Sequence, residues 1–286
     1  MIAVTGASGE YGRQVVECLL DAGVPAREVV AVVRSPEKVA DLAARGVVVR
    51  QADYDDPVAL RGSHAGVERL LLVSGTEVGL RVAQHGRVVD AAKDAGVGLL
   101  AYTSGTKADR SDLPIAPDHA ATERLLAESG IPAVTLRHNW YLENYAQAIA
   151  QAAATGSVIG SAGDGRIGAA TKADFAAAAA AVLTADPPML GTFELGGDES
   201  WTLTELAATV AAESGSPVAY VDLPPAELTA TLVGFGLPQQ VAELLTTFDE
   251  CIARGALHTG SHDLSTLIGR PTTTLAEYVH RVLTAD

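Results

Sequence analysis

The sequence predicts an α/β fold, a doubly wound parallel sheet with a smaller, mostly helical C-terminal lobe. Three observations predict it. The chain opens with an apolar run, a glycine turn and a helix start within its first dozen residues. Helix–glycine–strand joints then recur at Gly23, Gly46, Gly96, Gly130 and Gly215, the alternation of a parallel sheet covered by helices. Hydrophobic residues make up 48% of the 286 and aromatics only 5%, so the apolar mass is Ala, Val and Leu. That mass suits strands buried on both faces under close-packed helices.

The opening stretch organises the rest. Ile2 to Val4 is a short strand, Thr5 and Gly6 turn the chain, and Gln14 to Leu20 reads as helix. Gly6, Gly9 and Gly12 follow at three-residue spacing, with Ala7, Ser8, Glu10 and Tyr11 between them. A strand, a tight glycine turn and a helix start form an anion site, because the first helical N–H groups lack internal partners. Gly6 serves the turn, Gly9 the approach of a pyrophosphate, and Gly12 the packing of helix on strand. The spacing is Gly-x-x-Gly-x-x-Gly rather than the commoner Gly-x-Gly-x-x-Gly, and its place after a strand and before a helix makes it a Rossmann dinucleotide signal.

The remaining elements follow in order. Val29 to Val33 is a β-branched run, a buried second strand ending at Arg34. An NAD site would place an acid here for the ribose hydroxyl; Arg34, with Lys38 a helical turn on, suits a 2′-phosphate and predicts NADP(H). Val47 starts a third strand that runs to Ala52, and Asp53 and Tyr54 follow where such folds meet the adenine; a plain turn acid is the competing reading of Asp53. Arg69 to Val73 is a fourth strand, ending in Ser74, Gly75 and Thr76 at the carboxyl edge where ligands bind. A helix from Val82 to Ala95 leads to a fifth strand, Leu99 to Thr103. The helix His119 to Ser129 leads to a sixth, Ala133 to Leu136, with Arg137, His138 and Asn139 leaving its end. Ser157 to Gly168 reads as loop, Asp174 to Thr184 as an alanine-rich packing helix, and Phe193 to Leu195 as a last strand. Thr202/Glu205 and Thr274/Glu277 are capping boxes that start two helices. The expected division is residues 1–140 and 170–197 for the dinucleotide domain, and 141–169 and 198–286 for the lobe.

Composition excludes several classes. A net charge of −15 argues against nucleic acid and against an anionic membrane surface. Cys18 and Cys251 have no paired spacing and read as packing residues of a reduced, cytoplasmic protein. A strand starting at residue 2 is read as leaving no room for a signal peptide, and no run is apolar enough to span a bilayer. His258 and His262 lack an acidic partner, so no metal is expected. The sequence is compatible with a homodimer and does not set the oligomeric state.

The chemistry is read from what is missing. Common dehydrogenases of this type carry Tyr-x-x-x-Lys on the helix after the fifth strand; here those positions hold His119 and Glu123. Glu123 would raise the pKa of His119, and ordinary ketone chemistry, which needs a strong acid, is disfavoured. A quinone, which takes hydride with little acid help, fits better. His119 and His138 are the candidate catalytic side chains, His119 as a proton or hydrogen-bond donor near neutral pH; packing on its helix is the competing reading of His119. Asn139 could reach the nicotinamide, and Tyr141, Asn144 and Tyr145 are candidate contacts to a flat aromatic substrate, with Trp140 in the lobe core.

Seven stretches carry a family resemblance: Ile2–Gly9, Val32–Lys38, Val49–Tyr54, Ala101–Ser104, Trp140–Tyr145, Trp201–Glu205 and Leu267–Leu275. On these the chain resembles the NmrA-like atypical short-chain dehydrogenases, most of all the type-2 NAD(P)H:quinone oxidoreductases, then the triphenylmethane reductases. The resemblance implies NADPH bound by Gly6 to Gly12 and Arg34, a quinone over the nicotinamide, and direct hydride transfer without flavin. Where those reductases usually read Arg-Asn-Gly before Trp-Tyr, this chain reads Arg137-His138-Asn139, which puts pocket shape and acceptor choice at issue. Two further functions stay open at this point: an NADP(H)-reading redox sensor without turnover, and a biosynthetic reductase or isomerase on the same scaffold.

Overall fold

Strands covered on both faces must be apolar at every position, and β2 (Val29–Val33) is buried throughout its length. The computed structural model describes residues 1–77 and 79–285; Val78 and Asp286, each inside an expected domain, lie outside the described residues. β1 (Ile2–Thr5), β2, β3 (Val48–Gln51), β4 (Arg69–Leu72), β5 (Leu99–Gly105), β6 (Ala133–His138) and β8 (Gly191–Leu195) form one parallel sheet in the order β3-β2-β1-β4-β5-β6-β8. The order reverses between β1 and β4, which opens a crevice at their carboxyl ends.

The period of two sorts the side chains into two layers. Val4, Ala31, Leu71 and Ala101 face one cluster, under α1 (Glu10–Asp21) and α7 (Lys172–Thr184). Ala3, Val30, Leu70 and Tyr102 face the other, under α3 (Pro57–Ser63), α4 (Arg81–Asp94) and α5 (Ala116–Ser129). The consecutive alanines of α7 keep that helix close to α1 and the sheet, as expected of small side chains. Beyond β3 lies the short α2 (Ala40–Ala44).

A third cluster joins α6 (Ala146–Thr155), α8 (Leu203–Ser214), α10 (Gln239–Ala253) and α12 (Leu275–Thr284). Both capping boxes form reciprocally, Thr202 with Glu205 and Thr274 with Glu277. α9 (Pro225–Gly234) packs on α10. One strand here went unexpected: β7 (Ser157–Gly160) pairs in parallel with β9 (Ala219–Asp222), the strand that follows the Gly215 joint. Gly160 is there for closeness, since a Cβ on it would stand 2.6 Å from Leu203 Cδ1, whereas the loop reading holds from Ser161 to Gly168, where Gly163 turns with φ +50°. α11 (Asp263–Ile268) departs from the expected lobe, because Leu264 sits in the cluster under α1 and α7.

Two constraints hold this frame. The side chain of Asp174 is wholly buried and accepts hydrogen bonds from Thr171 Oγ1 (2.8 Å) and Thr273 N (3.0 Å), with Arg270 at 2.7 Å. It ties α7 to the segment that enters α12. Burial pushes its pKa up, but the bonds from Thr273, Thr171 and Arg270 outweigh it and hold the carboxyl below its ordinary value. A depressed folded pKa stabilises in full above the unfolded value of about 3.9 and is lost as pH falls through the folded value. Asp174→Asn should therefore cost about 1–3 kcal/mol at neutral pH. In urea unfolding followed across pH, the gap to wild type should close below about pH 4; a pH-independent gap would refute the charge-based account. The second constraint is Gly12, where a Cβ would stand 2.5 Å from the Gly6 carbonyl oxygen and 3.0 Å from Ala7 Cα. Both neighbours are backbone, so Gly12→Ala should lower the unfolding free energy by about 1–3 kcal/mol, and an unchanged urea midpoint would show that the turn has slack.

Candidate active site

A cavity of about 740 Å³ runs along the carboxyl edge of the sheet, from the glycine turn to the lobe. At one end Gly6 turns the chain with φ +60°, and Gly9 N donates to Gly6 O at 2.9 Å. Gly9 is the N-cap of α1, and no side chain caps the helix. Ser8, Gly9, Glu10, Tyr11 and Gly12 all line the cavity. Ala7 does not: it is fully buried, and its N–H donates to Val32 O at 3.3 Å.

Arg34 follows β2 and Lys38 the next turn; both are exposed, line the cavity and make no ion pair among the described residues. Asp53 accepts from Asp55 N at 3.0 Å, a turn-acid geometry, and it also lines the cavity. Tyr54 fills the crevice between β1 and β4: its hydroxyl donates to Val73 O at 2.7 Å and meets Thr5 Oγ1 at 2.5 Å. Burial pushes its pKa well up. Ser74, Gly75 and Thr76 line the middle of the cavity. Thr103 Oγ1 holds Ser74 N at 2.9 Å, and His85 Nε2 holds Gly75 N at 2.9 Å.

The two candidate catalytic histidines behave differently from expectation. His119 is 4% exposed, with Nδ1 at 2.8 Å from the Tyr102 hydroxyl and Nε2 at 3.4 Å from Arg81 Nη1. A guanidinium can only donate, so Nε2 accepts, and Nδ1 carries the proton toward Tyr102. Burial first, then Arg81, pushes the His119 pKa down to about 4. The expected lift from Glu123 is present but smaller than these two effects; that carboxylate is itself held by Arg137 at 2.7 and 2.9 Å and by Ser104, which donates to it at 2.6 Å. His119 is thus neutral near pH 7 and offers no acidic proton.

His138 was expected past the end of its strand; β6 instead includes it and buries it to 5% exposure. Its ring stacks on Phe175 at 4.5 Å, meets Tyr11 edge-on at 5.2 Å, and places Nδ1 at 3.1 Å from the Tyr141 hydroxyl. Burial, then His119, pushes its pKa to about 3. It forms part of the aromatic wall and is neutral near pH 7. The side chain of Asn139 is likewise committed, with Nδ2 donating to Leu257 O (3.1 Å) and Oδ1 accepting from Trp140 N (2.8 Å). That double engagement argues against its expected hydrogen bond to a nicotinamide.

At the lobe end, Tyr141, Asn144, Trp140 and Ile115 line the cavity. Trp140 does so while packing on Phe248 at 5.0 Å. Tyr145 lies outside it, fully engaged with Trp201 at 5.1 Å in the lobe core, so its candidacy as a substrate contact falls. Among the polar lining residues that went unforeseen are Arg81 and Gln84 on α4, and Lys172 at the start of α7. They sit on helices that read as packing, and no local motif marks them.

The comparisons with known proteins agree with this arrangement. The NmrA-like family model matches residues 1–279. Quinone oxidoreductase 2 of Escherichia coli is 48% identical over 286 residues, covering all of both chains. The crystal structure of that NADPH-dependent enzyme with NADPH has a TM-score of 0.96, covering 99% of this chain and 100% of the other. The triphenylmethane reductase of Citrobacter, complexed with NADP(H), has a TM-score of 0.95 at 36% identity, with 99% and 100% covered. With its glycine turn, its sheet and its lobe all matched along one continuous stretch, the chain belongs to the NmrA-like family.

Proposed function

We propose that this protein is an NADPH-dependent reductase of quinones and similar electron-poor conjugated acceptors. One observation carries the reading: a single cavity joins an uncapped helix N-terminus and two cations, without an ion pair among the described residues, to an aromatic wall whose two histidines are neutral. The relatives that match along the whole chain include an NADPH-dependent quinone oxidoreductase and a triphenylmethane reductase, and flat conjugated acceptors suit that wall.

The residues present fit the cofactor. The N–H groups opening α1 suit a diphosphate, and Gly12 keeps that helix close to the turn. Arg34 and Lys38 suit a 2′-phosphate, and no acid stands there to favour a free hydroxyl. Asp53 and Tyr54 border the adenine end, and Ser74 to Thr76 with Thr103 line the path between. Bound NADPH supplies a hydride. The chain's own part is to hold two flat rings face to face and exclude water, so that proximity and desolvation provide most of the rate. Trp140, Tyr141 and Ile115 offer the acceptor an apolar seat. Neutral His119 and His138 leave the second proton of the reduced acceptor to solvent. That is tolerable for a hydroquinone anion and prohibitive for the alkoxide of a simple ketone. The partner is thus a small aromatic molecule, and the setting we assign is the cytoplasm. No described helix is long and apolar enough to cross a membrane.

NADPH oxidation measured against a panel of benzoquinones and naphthoquinones, with NADH alongside, should show turnover that favours NADPH. Tight NADPH binding with no turnover on any acceptor would overturn the reductase reading. Arg34→Ala should weaken NADPH binding by about 1.5–3 kcal/mol, the range for a charge-assisted contact. NADH binding should change by less than about 0.5 kcal/mol, as for a surface substitution away from any specific contact. Equal losses on both would contradict the 2′-phosphate role.

A further inference from the structure

Lys172 is the unforeseen residue with the most specific placement. Its main-chain N–H donates to both carboxylate oxygens of Glu143, at 3.0 and 3.1 Å, which pins the start of α7 to the lobe. Its ammonium stands 5.8 Å from the centre of the Tyr141 ring and ends in an ion pair with Glu10. Glu10 is the first residue of α1, directly after the Gly9 cap. The ammonium therefore links the start of α7 to the start of α1, two helices packed side by side on the same face of the sheet.

The pair is asymmetric. The side chain of Lys172 is 20% exposed and that of Glu10 is 59% exposed. Lys172 is held by its backbone bond and by the ring beneath it, whereas Glu10 is free to swing into solvent. A carboxylate at this position satisfies the positive end of α1 and the ammonium together, as a bound oxyanion would. An exposed pair of this kind is weak and yields to a doubly charged competitor that also meets the helix N–H groups.

We propose that Lys172 is a cofactor-binding residue, and that Glu10–Lys172 is a latch across the cavity which opens when the ammonium exchanges the Glu10 carboxylate for the diphosphate of the dinucleotide. The inference rests on the cofactor reading above. It differs from the role of Arg34 in a measurable way. The diphosphate is common to NADP⁺ and NAD⁺, so loss of Lys172 weakens both by the same factor, while loss of Arg34 separates them. The diphosphate is also present in 2′-phospho-ADP-ribose, which lacks the nicotinamide.

The test is calorimetric titration of the full-length protein with NADP⁺, NAD⁺ and 2′-phospho-ADP-ribose. Lys172→Met should weaken all three by about tenfold, the loss of one charge-assisted hydrogen bond. Lys172→Arg should stay within about threefold of wild type because the charge remains. Glu10→Gln should tighten all three by up to about fivefold, since a competing carboxylate and its repulsion are gone. A mere strut would give the opposite sign, with Glu10→Gln weakening binding as Lys172→Met does. Unchanged or weakened binding in Glu10→Gln overturns the latch, and it remains decisive if Lys172→Met does not fold. Unchanged NADP⁺ affinity in Lys172→Met, with a raised KM for the quinone, would move the ammonium to the acceptor and overturn the proposal. If wild type binds none of the three ligands, the cofactor reading itself fails, which is a separate outcome.

Discussion

The approach of α1 to the glycine turn is the constraint on which the rest depends. Gly12 packs so close to the Gly6 carbonyl that no side chain fits between them. That closeness brings the uncapped start of α1 to the mouth of the crevice between β1 and β4, where the strand order reverses. It also sets where Tyr11 stands, and Tyr11 in turn walls one side of His138. Lys172 reaches Glu10 only because α7 lies alongside α1, which its alanines permit. Binding site, wall and candidate latch thus all hang on one backbone contact.

The second theme is the removal of protons from the reaction chamber. Burial makes a charged imidazole costly, and both His119 and His138 are buried enough to be neutral well below physiological pH. Arg81 deepens the effect on His119 by standing beside it. The carboxylate that could have opposed this, Glu123, is drawn off by Arg137, which Glu194 also contacts at 3.0 Å. Charged groups thus stand around two histidines that themselves stay neutral. Such a chamber favours acceptors whose reduced form is a stable anion, which is the chemical meaning of the missing Tyr–Lys pair.

Legibility in the sequence tracked how local the signal was. The glycine turn, Arg34 and both capping boxes are marked by residues within a few positions of one another, and the structure places them at the element ends that those motifs imply. The strand alternation was legible because β-branched runs and glycine joints repeat. The β7–β9 pair was not, since each strand has only four residues and the partner lies far off in the chain. The site residues fared by the same rule. Tyr145 shares a stretch with Tyr141, yet the turn from Leu142 to Tyr145 sends it into the lobe core, a direction no local pattern encodes. His138 lies inside β6 because pairing with β8 continues to Leu195, and pairing is a tertiary fact. Arg81 and Lys172 were invisible for the opposite reason, as ordinary charged residues at helix starts made specific by what they meet.

The acceptor end of the cavity is fixed by a seam rather than by a core. Leu257 O accepts from both Asn139 Nδ2 and Gly168 N, at 3.1 and 2.9 Å. Just past the end of β5, Lys107 sits with φ +49°, an uncommon backbone for a side chain of that size. Its ammonium donates to the carbonyls of Gly255 and His258, at 3.2 and 2.6 Å, in the turn that follows α10. The left-handed backbone costs on the order of 1 kcal/mol, and the ammonium's bonds to these carbonyls offset it. Both stitches hold the chain after α10 against the ends of β5 and β6. The side chain of Asn139, which also lines the cavity, is thereby held in the seam. The same stitches set how far α10, and with it Phe248 behind Trp140, stands from the sheet. The seam's hydrogen bonds, that of Asn139 among them, thus help to place the face that Trp140 brings to the cavity.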